Sequence, residues 1–429
     1  MNVSFATLGC KVNSYESQAL MTFFEDHHYT VVPFKQYADV YVINTCSVTN
    51  QSDVKSRKLI RQALRLNPDA VVAVIGCYAQ LKSEDILAID GVDIVMGTQD
   101  RMRLLEHVER VLADRQIIHD VQDVSKTRRF DQLNVTHFKD HTRAYVKIQD
   151  GCQMFCTFCI IPFARGPMHS RPMADVIQEI KTLVSQGYKE VVLTGIHTGG
   201  YGLETNTHTL IDLIDAILEQ TRVERLRISS IEFNQVTDAL VERMQREDRL
   251  AQHLHIPLQS GSDRILKKMR RRYDVNTFID NIQKIRKALP QCLITTDLIV
   301  GFPGETEEDF QMTLDTLKAC QFYQVHVFPY SKRSGTKAAL MNQHIAKSIK
   351  SFRVNQVMHL SEQMQQKHLQ TKKGHKLDII VEAIEDDIAF GHSSEYIYVK
   401  LSAKGVKKGQ RVTGHLIDDG FPVPFLEVL

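Results

Sequence analysis

Residues 150–162 read DGCQMFCTFCIIP, and Cys152, Cys156 and Cys159 fall within eight residues of one another with no fourth cysteine behind them. A metal site that closes on protein ligands alone usually takes four. Three thiolates suit another object. They can hold a 4Fe-4S cubane by three corners and leave the last iron open to an outside ligand. The amine and carboxylate of an amino acid can chelate that iron, and the cofactor that uses this arrangement for radical chemistry is S-adenosylmethionine. An electron passed from the cluster into the sulfonium would break a carbon–sulfur bond and release a 5′-deoxyadenosyl radical. Zinc is the competing reading, but its usual pair of cysteines two residues apart, matched by a distant second pair, is absent.

The chain after this loop alternates strand and helix patterns. The runs AYVKIQD, EVVLTGI, RLRISSI, HLHIPLQ, ITTDLIVGF and YQVHVFPY are expected strands, with helical stretches such as ADVIQEIKTLVSQG and HTLIDLIDAILEQT between them. Six such units predict a partial (β/α)6 barrel over residues 144–367, two strands short of closing. The segments TGIHTGGYG, QSGSD and GFPGE fall at strand ends, where barrels of this type carry their sites.

Ahead of it, residues 1–118 show VSFATLG, DVYVINT and AVVAVIG separated by helical patterns, the signature of a parallel α/β domain. Cys10, Cys46 and Cys77 each stand one residue past one of these runs. Ligands of open α/β sheets bind beyond the carboxyl ends of strands, so three cysteines so placed could meet at one sheet edge. Three small buried hydrophobes are the bland alternative. Residues 119–143 are polar without a clear period and read as a linker. Residues 368–429 hold the strand-like runs HKLDIIVEAI, EYIYVKLS and QRVTGHLI, separated by DDIAFGHSS, AKGVKKG and DDGFPVP, which predicts a small antiparallel β-barrel.

Composition limits the setting. At 429 residues the chain suggests about three domains of about 150 residues each, and 43% hydrophobic residues supply their cores. A formal charge of +2 gives no whole-chain case for a polyanion, so any nucleic-acid surface must be local. Neither a signal peptide nor a membrane span is evident, and the eight cysteines read as metal ligands or core thiols of a reducing, cytoplasmic compartment. Cys292 and Cys320 lie outside every motif and read as structural. The basic run KKMRRRY, residues 267–273, reads either as a solvated helix end or as a contact to nucleic-acid phosphates.

The cysteine loop in KIQDGCQMFCTFCIIPFARG resembles that of radical S-adenosylmethionine enzymes, and LGCKVNSYES, NTCSVT and VIGCYAQ resemble the amino-terminal domain of the methylthiotransferases. GCKVN, LTGIHTGGYG, SSIE, HLHIPLQSGSD, TTDLIVGFPGETEEDF and HVFPYSKRSGT are similar to the branch that modifies threonylcarbamoyladenosine in transfer RNA. Ser14, where glutamine is common, and His169, where a basic residue often lies, depart from the pattern. The resemblance implies two 4Fe-4S clusters with one open iron each: a radical-generating one on Cys152, Cys156 and Cys159, and an auxiliary one on Cys10, Cys46 and Cys77. It implies S-adenosylmethionine lined by Phe158, Thr194, Gly195, Gln259, Arg271 and Asp297, and a TRAM-like RNA-binding barrel at the end. It also implies a tRNA anticodon loop as partner, with a sulfur donor and a flavodoxin- or ferredoxin-type electron donor, and no membrane. The product expected is a methylthio group on carbon 2 of the base next to the anticodon. The same chemistry on isopentenyl-adenosine or on a ribosomal protein, and a non-enzymatic iron–sulfur carrier with an RNA-binding tail, are the alternatives.

Overall fold

The computed structural model describes residues 1–127, 129–131, 133, 135, 142–418 and 420–429. It divides into two compact units: Met1–Lys139 with Lys147–Pro172 and Ser331–Ala339, and Asp140–Val146 with Met173–Tyr330 and Leu340–Leu429.

The first unit is built on six parallel strands, β1 (Asn2–Thr7), β2 (Thr30–Val32), β3 (Val40–Thr45), β4 (Val71–Gly76), β5 (Ile94–Met96) and β6 (Ile118–Asp120), in the order β2-β1-β3-β4-β5-β6. Every residue of β3 and β4 is buried, which is why VYVI and VVAVIG read as apolar runs: helices cover both faces of a parallel sheet, and β3 ends in the buried polar pair Asn44 and Thr45. Val42, Ala73, Ile94 and Val108 pack on one face, and Tyr41, Ile60, Val74 and Tyr78 on the other. Three strands were expected and six are found, since TVV, IVM and IHD are three residues each and too short to show a period.

The region read as a linker, 119–143, lies partly outside the described residues. Among its described residues β6 runs into its start, Val124, Phe130, Leu133 and Val135 are buried while Gln122, Asp123, Ser125, Lys126 and Arg129 are exposed, and Tyr15 donates a 2.6 Å hydrogen bond to the Leu133 carbonyl.

Next come β7 (Arg143–Asp150), the two-residue β8 (His169–Ser170), β9 (Glu190–Gly195), β10 (Arg225–Ile228), β11 (His253–His255), β12 (Leu293–Val300) and β13 (Gln324–Pro329). The six expected barrel strands are all present, and β8, antiparallel to the end of β7, is an addition. In the second unit β9 pairs parallel with β10, β11 with β12 and β12 with β13; single bridges such as Ser230 to His255 join β10 to β11. Helices such as Met173–Ser185, Leu210–Gln220 and Glu307–Cys320 cross between strands, the last two started by capping boxes at Thr209 and Thr306.

The chain ends in β14 (Lys376–Glu385), β15 (Ile388–Ser393), β16 (Tyr398–Ser402), β17 (Arg411–Leu416) and β18 (Leu426–Val428), ordered β16-β15-β14-β17-β18, all antiparallel. A bridge from Lys400 to Phe425 nearly closes the barrel around Ile379, Val381, Val399, Leu401 and Leu416. The separator DDIAFGHSS proves to hold β15, because Asp386, at a φ of +52°, makes a tight turn and the strand alternates inward Ala389, Gly391 and Ser393 with outward residues. Small inward residues hid that alternation. Within this unit the barrel is held to β10 by Arg225, on Glu190 and Asp378, and by Arg227, on Glu190 and the carbonyls of Ser393 and Ser394.

Candidate functional site

β1, β3 and β4 are neighbours, and their register sets Thr7 beside Asn44 and Thr45 beside Gly76. Their carboxyl ends are thus level at one sheet edge. Cys46 and Cys77 follow their strands directly, as expected. Cys10 follows by three residues: Leu8 still bonds the Asn44 carbonyl at 2.9 Å, then Gly9, at a φ of +111°, turns the chain so that Cys10 caps the helix Lys11–Asp26. A β-carbon on Gly9 would lie 2.8 Å from Cys46 Cβ and 3.0 Å from its Sγ, so the Cys10 and Cys46 segments touch.

Cys10 is exposed, whereas Cys46 and Cys77 are buried. Burial pushes the Cys46 thiol up, against the Val48 N–H and the Arg165 charge. Burial pushes Cys77 up to about 11; Arg165 opposes this, while negative charge on Cys46 and Cys10 reinforces it. The three sulfurs therefore lie within electrostatic reach of one another, and those of Cys46 and Cys77 within reach of Arg165. None of the eight cysteines forms a disulfide.

Cys152, Cys156 and Cys159 belong to the same unit, on the loop after β7. Gly151 and Gly166, both at a φ of +73°, shape its ends; Cys152 N–H donates to the Gly166 carbonyl at 3.1 Å and Cys159 N–H to the Cys156 carbonyl at 3.0 Å. A β-carbon on Gly151 would fall 1.9 Å from the Pro167 carbonyl oxygen. Phe155, a non-glycine residue at a φ of +47°, is strained and half exposed. Phe158 stands partly buried between Thr157 and Cys159.

Between the two triplets lies a fully buried charge network that the sequence reading did not find. Arg165 Nη1 donates to Glu16 at 2.8 Å and to Asp150 at 3.0 Å, and Nη2 donates to Asn13 Oδ1 at 2.7 Å. Lys147 Nζ lies 2.8 Å from Glu16 and 2.6 Å from Asp150, and Arg101 adds a 3.2 Å contact to Glu16. Burial alone would raise the Glu16 carboxyl, but Arg101, Arg165 and Lys147 hold it at about 2; Asp150 is held well below the usual carboxylate range by Arg165 and Lys147 against the same burial. Asn13 passes the constraint on, donating to the carbonyls of Leu8 at 2.7 Å and Thr45 at 3.0 Å, just ahead of two of the cysteines. Asp150 accepts the Gly151 N–H at 2.8 Å, beside Cys152. The segment 331–339 also joins this unit. Arg333 bonds Asp53, Asn50 and Ser47 behind Cys46, and Ala338 N–H reaches the Thr157 carbonyl.

The remaining expected residues lie in the second unit. Thr194, buried, and Gly195 end β9. Gln259, at a φ of +68°, donates its N–H to the Asp297 carbonyl at 2.9 Å, and the Asp297 carboxylate lies 3.2 Å from His255 Nε2. Arg271 is buried in an ion pair with Glu232 and lies over the Tyr273 ring. The run 267–273 is therefore mixed, with Arg271 inside and Lys267, Arg270 and Arg272 exposed. Cys292 and Cys320 are buried with thiols pushed up to about 12, which makes them inert core residues.

Among the described residues no three His, Cys, Asp or Glu side chains converge on one point as a single metal ion requires. A cubane asks for something wider, one thiolate per iron corner, and soft sulfur donors select it over hard cations. Two all-thiol triplets, one backed by a buried guanidinium whose Nε has no partner among the described residues, fit such a group. Among the described residues no helix is long and apolar enough to cross a membrane.

Residues 146–317 match the Radical SAM superfamily, and residues 2–97 match the family described as uncharacterized protein family UPF0004. The chain is 46% identical over 428 residues to the threonylcarbamoyladenosine tRNA methylthiotransferase MtaB of Bacillus subtilis, covering 98% of this chain and 94% of that protein. It is 36% identical to the tRNA-2-methylthio-N(6)-dimethylallyladenosine synthase of Akkermansia muciniphila, over 81% of this chain and 80% of that protein. The fold alone is shared with the radical S-adenosylmethionine methyltransferase TsrM of Kitasatospora setae, at a TM-score of 0.55 and 15% identity over 76% of this chain and 74% of that one. Higher identity over nearly the whole length separates the first relative from the second, and on that ground the chain belongs to the radical S-adenosylmethionine methylthiotransferases, in the threonylcarbamoyladenosine tRNA branch.

Proposed function

We propose that Cys152, Cys156 and Cys159 hold one 4Fe-4S cluster and Cys10, Cys46 and Cys77 a second, and that the chain uses them to place a methylthio group on carbon 2 of threonylcarbamoyladenosine next to the anticodon. When bound, the clusters and S-adenosylmethionine supply the methyl group, the open iron for sulfur and the 5′-deoxyadenosyl radical. The protein's part is to hold and orient. Asn13 fixes the backbone ahead of Cys10 and Cys46; Asp150 fixes the entry to the Cys152 loop; Arg165 sets a cation beside thiols that must become thiolates in a buried place. Thr194, Gly195, Gln259, Arg271 and Asp297, with Phe158, are the proposed contacts to S-adenosylmethionine. The target base has to leave its stack to be reached, which a single-stranded anticodon loop makes easier. A cytoplasmic setting, a sulfur donor and a flavodoxin- or ferredoxin-type electron donor complete the reading.

The observation that supports it most is the level edge of β1, β3 and β4, after which three cysteines distant in sequence follow, two of them within reach of one buried arginine. Anaerobic reconstitution tests it. The expected result is about eight irons per chain, from two cubanes, and 5′-deoxyadenosine on addition of reductant and S-adenosylmethionine. Half that iron, or zinc in its place, removes the two-cluster reading. Nucleoside mass spectrometry of RNA from cells lacking the protein tests the substrate: threonylcarbamoyladenosine should persist without its methylthio group.

A further inference from the structure

The helix Asn50–Leu66 starts four residues after Cys46 and carries Lys55, Arg57, Lys58, Arg61 and Arg65 with a single acid, Asp53, in a chain whose whole net charge is only +2. Asp53 is already paired with Arg333 at 2.8 Å, and Arg57 donates to the Tyr78 hydroxyl. The other four cations are exposed and make no hydrogen bond or ion pair with the described residues. At about 100° per residue, Lys55, Lys58, Arg61 and Arg65 fall within an arc of about 120°. Ser56, Ile60 and Ala63, the buried residues, occupy the opposite side. The cationic stripe runs about 15 Å along the helix axis at 1.5 Å per residue.

We propose that this stripe is a docking surface for the phosphate backbone of the substrate RNA. The inference rests on the functional reading above and adds to it where on this chain the RNA is held. Unpaired cations repeated along one face are what a row of phosphates neutralises, with release of counterions as the gain. An acidic electron-carrier protein is the other polyanion that could approach. Protein interfaces concentrate apolar and aromatic anchors at their centre, and this stripe offers only Val54, 58% exposed. The stripe also belongs to the helix that follows Cys46, in the same unit as both cysteine triplets, so RNA held here is held by the element next to the sulfur chemistry.

The test uses the reconstituted full chain and an anticodon stem-loop RNA carrying threonylcarbamoyladenosine, with affinity measured by fluorescence anisotropy over a range of salt. The variant Lys58→Gln/Arg61→Gln should reduce the slope of log affinity against log salt by about 1 to 2. Unchanged helicity and iron content would show that the loss is one of charge. A slope equal to that of the parent overturns the proposal, as does a loss seen only in Lys267→Gln/Arg270→Gln. RNA binding intact with slower reduction by an acidic flavoprotein assigns the stripe to the electron donor and also overturns it. If the parent itself does not bind this RNA at any salt, the functional reading falls first and takes this surface with it.

Discussion

Arg165 donates a 2.7 Å hydrogen bond to Asn13, and through it a side chain six residues beyond Cys159 fixes the backbone that presents Cys10 and Cys46. The same guanidinium bonds Asp150, which holds the start of the Cys152 loop. One buried cation thus bonds side chains that hold the backbone beside a cysteine of each triplet.

Removing that cation should be costly. Arg165→Gln leaves Glu16 and Asp150 buried with less compensation, and breaking a buried ionic group by deleting one partner typically costs about 3–5 kcal/mol. The metal-free variant should show a urea midpoint well below that of the parent, whereas Arg165→Lys, which keeps the charge and loses the forked geometry, should fall between them. Equal midpoints for Gln and parent would mean that the network does not stabilise the unit.

The two triplets should separate by mutation. Cys156→Ala is expected to abolish 5′-deoxyadenosine formation, since it removes a ligand from the proposed radical-generating cluster. Cys46→Ala should keep 5′-deoxyadenosine and lose methylthio product to below detection. Chromatography of both products from each variant checks the division of labour, and identical behaviour of the two variants contradicts it.

How far the sequence speaks depends on how its residues use their chemistry. VYVI and VVAVIG announce themselves because a sheet covered on both sides buries apolar residues on both faces of a strand. Cys10, Cys46 and Cys77 are legible because thiols placed after strands are a pattern in themselves. Glu16, Lys147, Asp150 and Arg165 are not, since a charged residue in sequence looks like a surface residue and only the partners, up to 149 positions away for Arg165 and Glu16, show that all four are buried. GCKVNSYES and FARG carried the clue as motif residues without a role. Lys58 and Arg61 hide for the opposite reason: they look like any solvated helix face until their lack of partners among the described residues is seen.

Acid should expose the buried carboxylates in the metal-free protein. Burial would raise the Glu190 carboxyl, but Arg227, Arg225 and Arg143 hold it at about 2, below its ordinary 4.5. A lowered carboxylate contributes fully above its ordinary value, and the contribution is lost as pH falls towards the folded value. Glu16 behaves alike. Stability by urea titration should therefore be level for these groups at neutral pH and fall between about pH 4.5 and pH 2. Glu190→Gln should be less stable at pH 7 and show a shallower acid limb; an acid limb as steep as the parent's would assign the effect elsewhere.

Thiol labelling of the metal-free chain should rank the cysteines by surroundings. Cys10 is exposed and should react first with a maleimide, followed slowly by Cys46 and Cys77, whose burial disfavours the thiolate. Cys292 and Cys320, buried with thiols at about 12, should remain unlabelled until urea unfolds the chain. Peptide mass spectrometry reads the order, and early labelling of Cys292 would contradict its place in the core.

Gly9 offers the sharpest separation of structure from ligation, because it carries no thiol and yet decides where two of them stand. Its φ of +111° is one that side chains rarely adopt, and a β-carbon would press on Cys46 Cβ at 2.8 Å and Sγ at 3.0 Å. Gly9→Ala therefore has to move either the Cys10 turn or the Cys46 loop, and Cys46 is held from behind by the Ser47, Asn50 and Asp53 contacts to Arg333. The strain should cost about 1–3 kcal/mol in the metal-free protein. With every cysteine retained, the reconstituted variant should carry about four irons per chain where two cubanes need about eight, and should still form 5′-deoxyadenosine. A variant that loads both clusters fully would show that the edge of β1, β3 and β4 tolerates a shifted turn, and that the close approach of Gly9 to Cys46 is not what spaces the sulfurs.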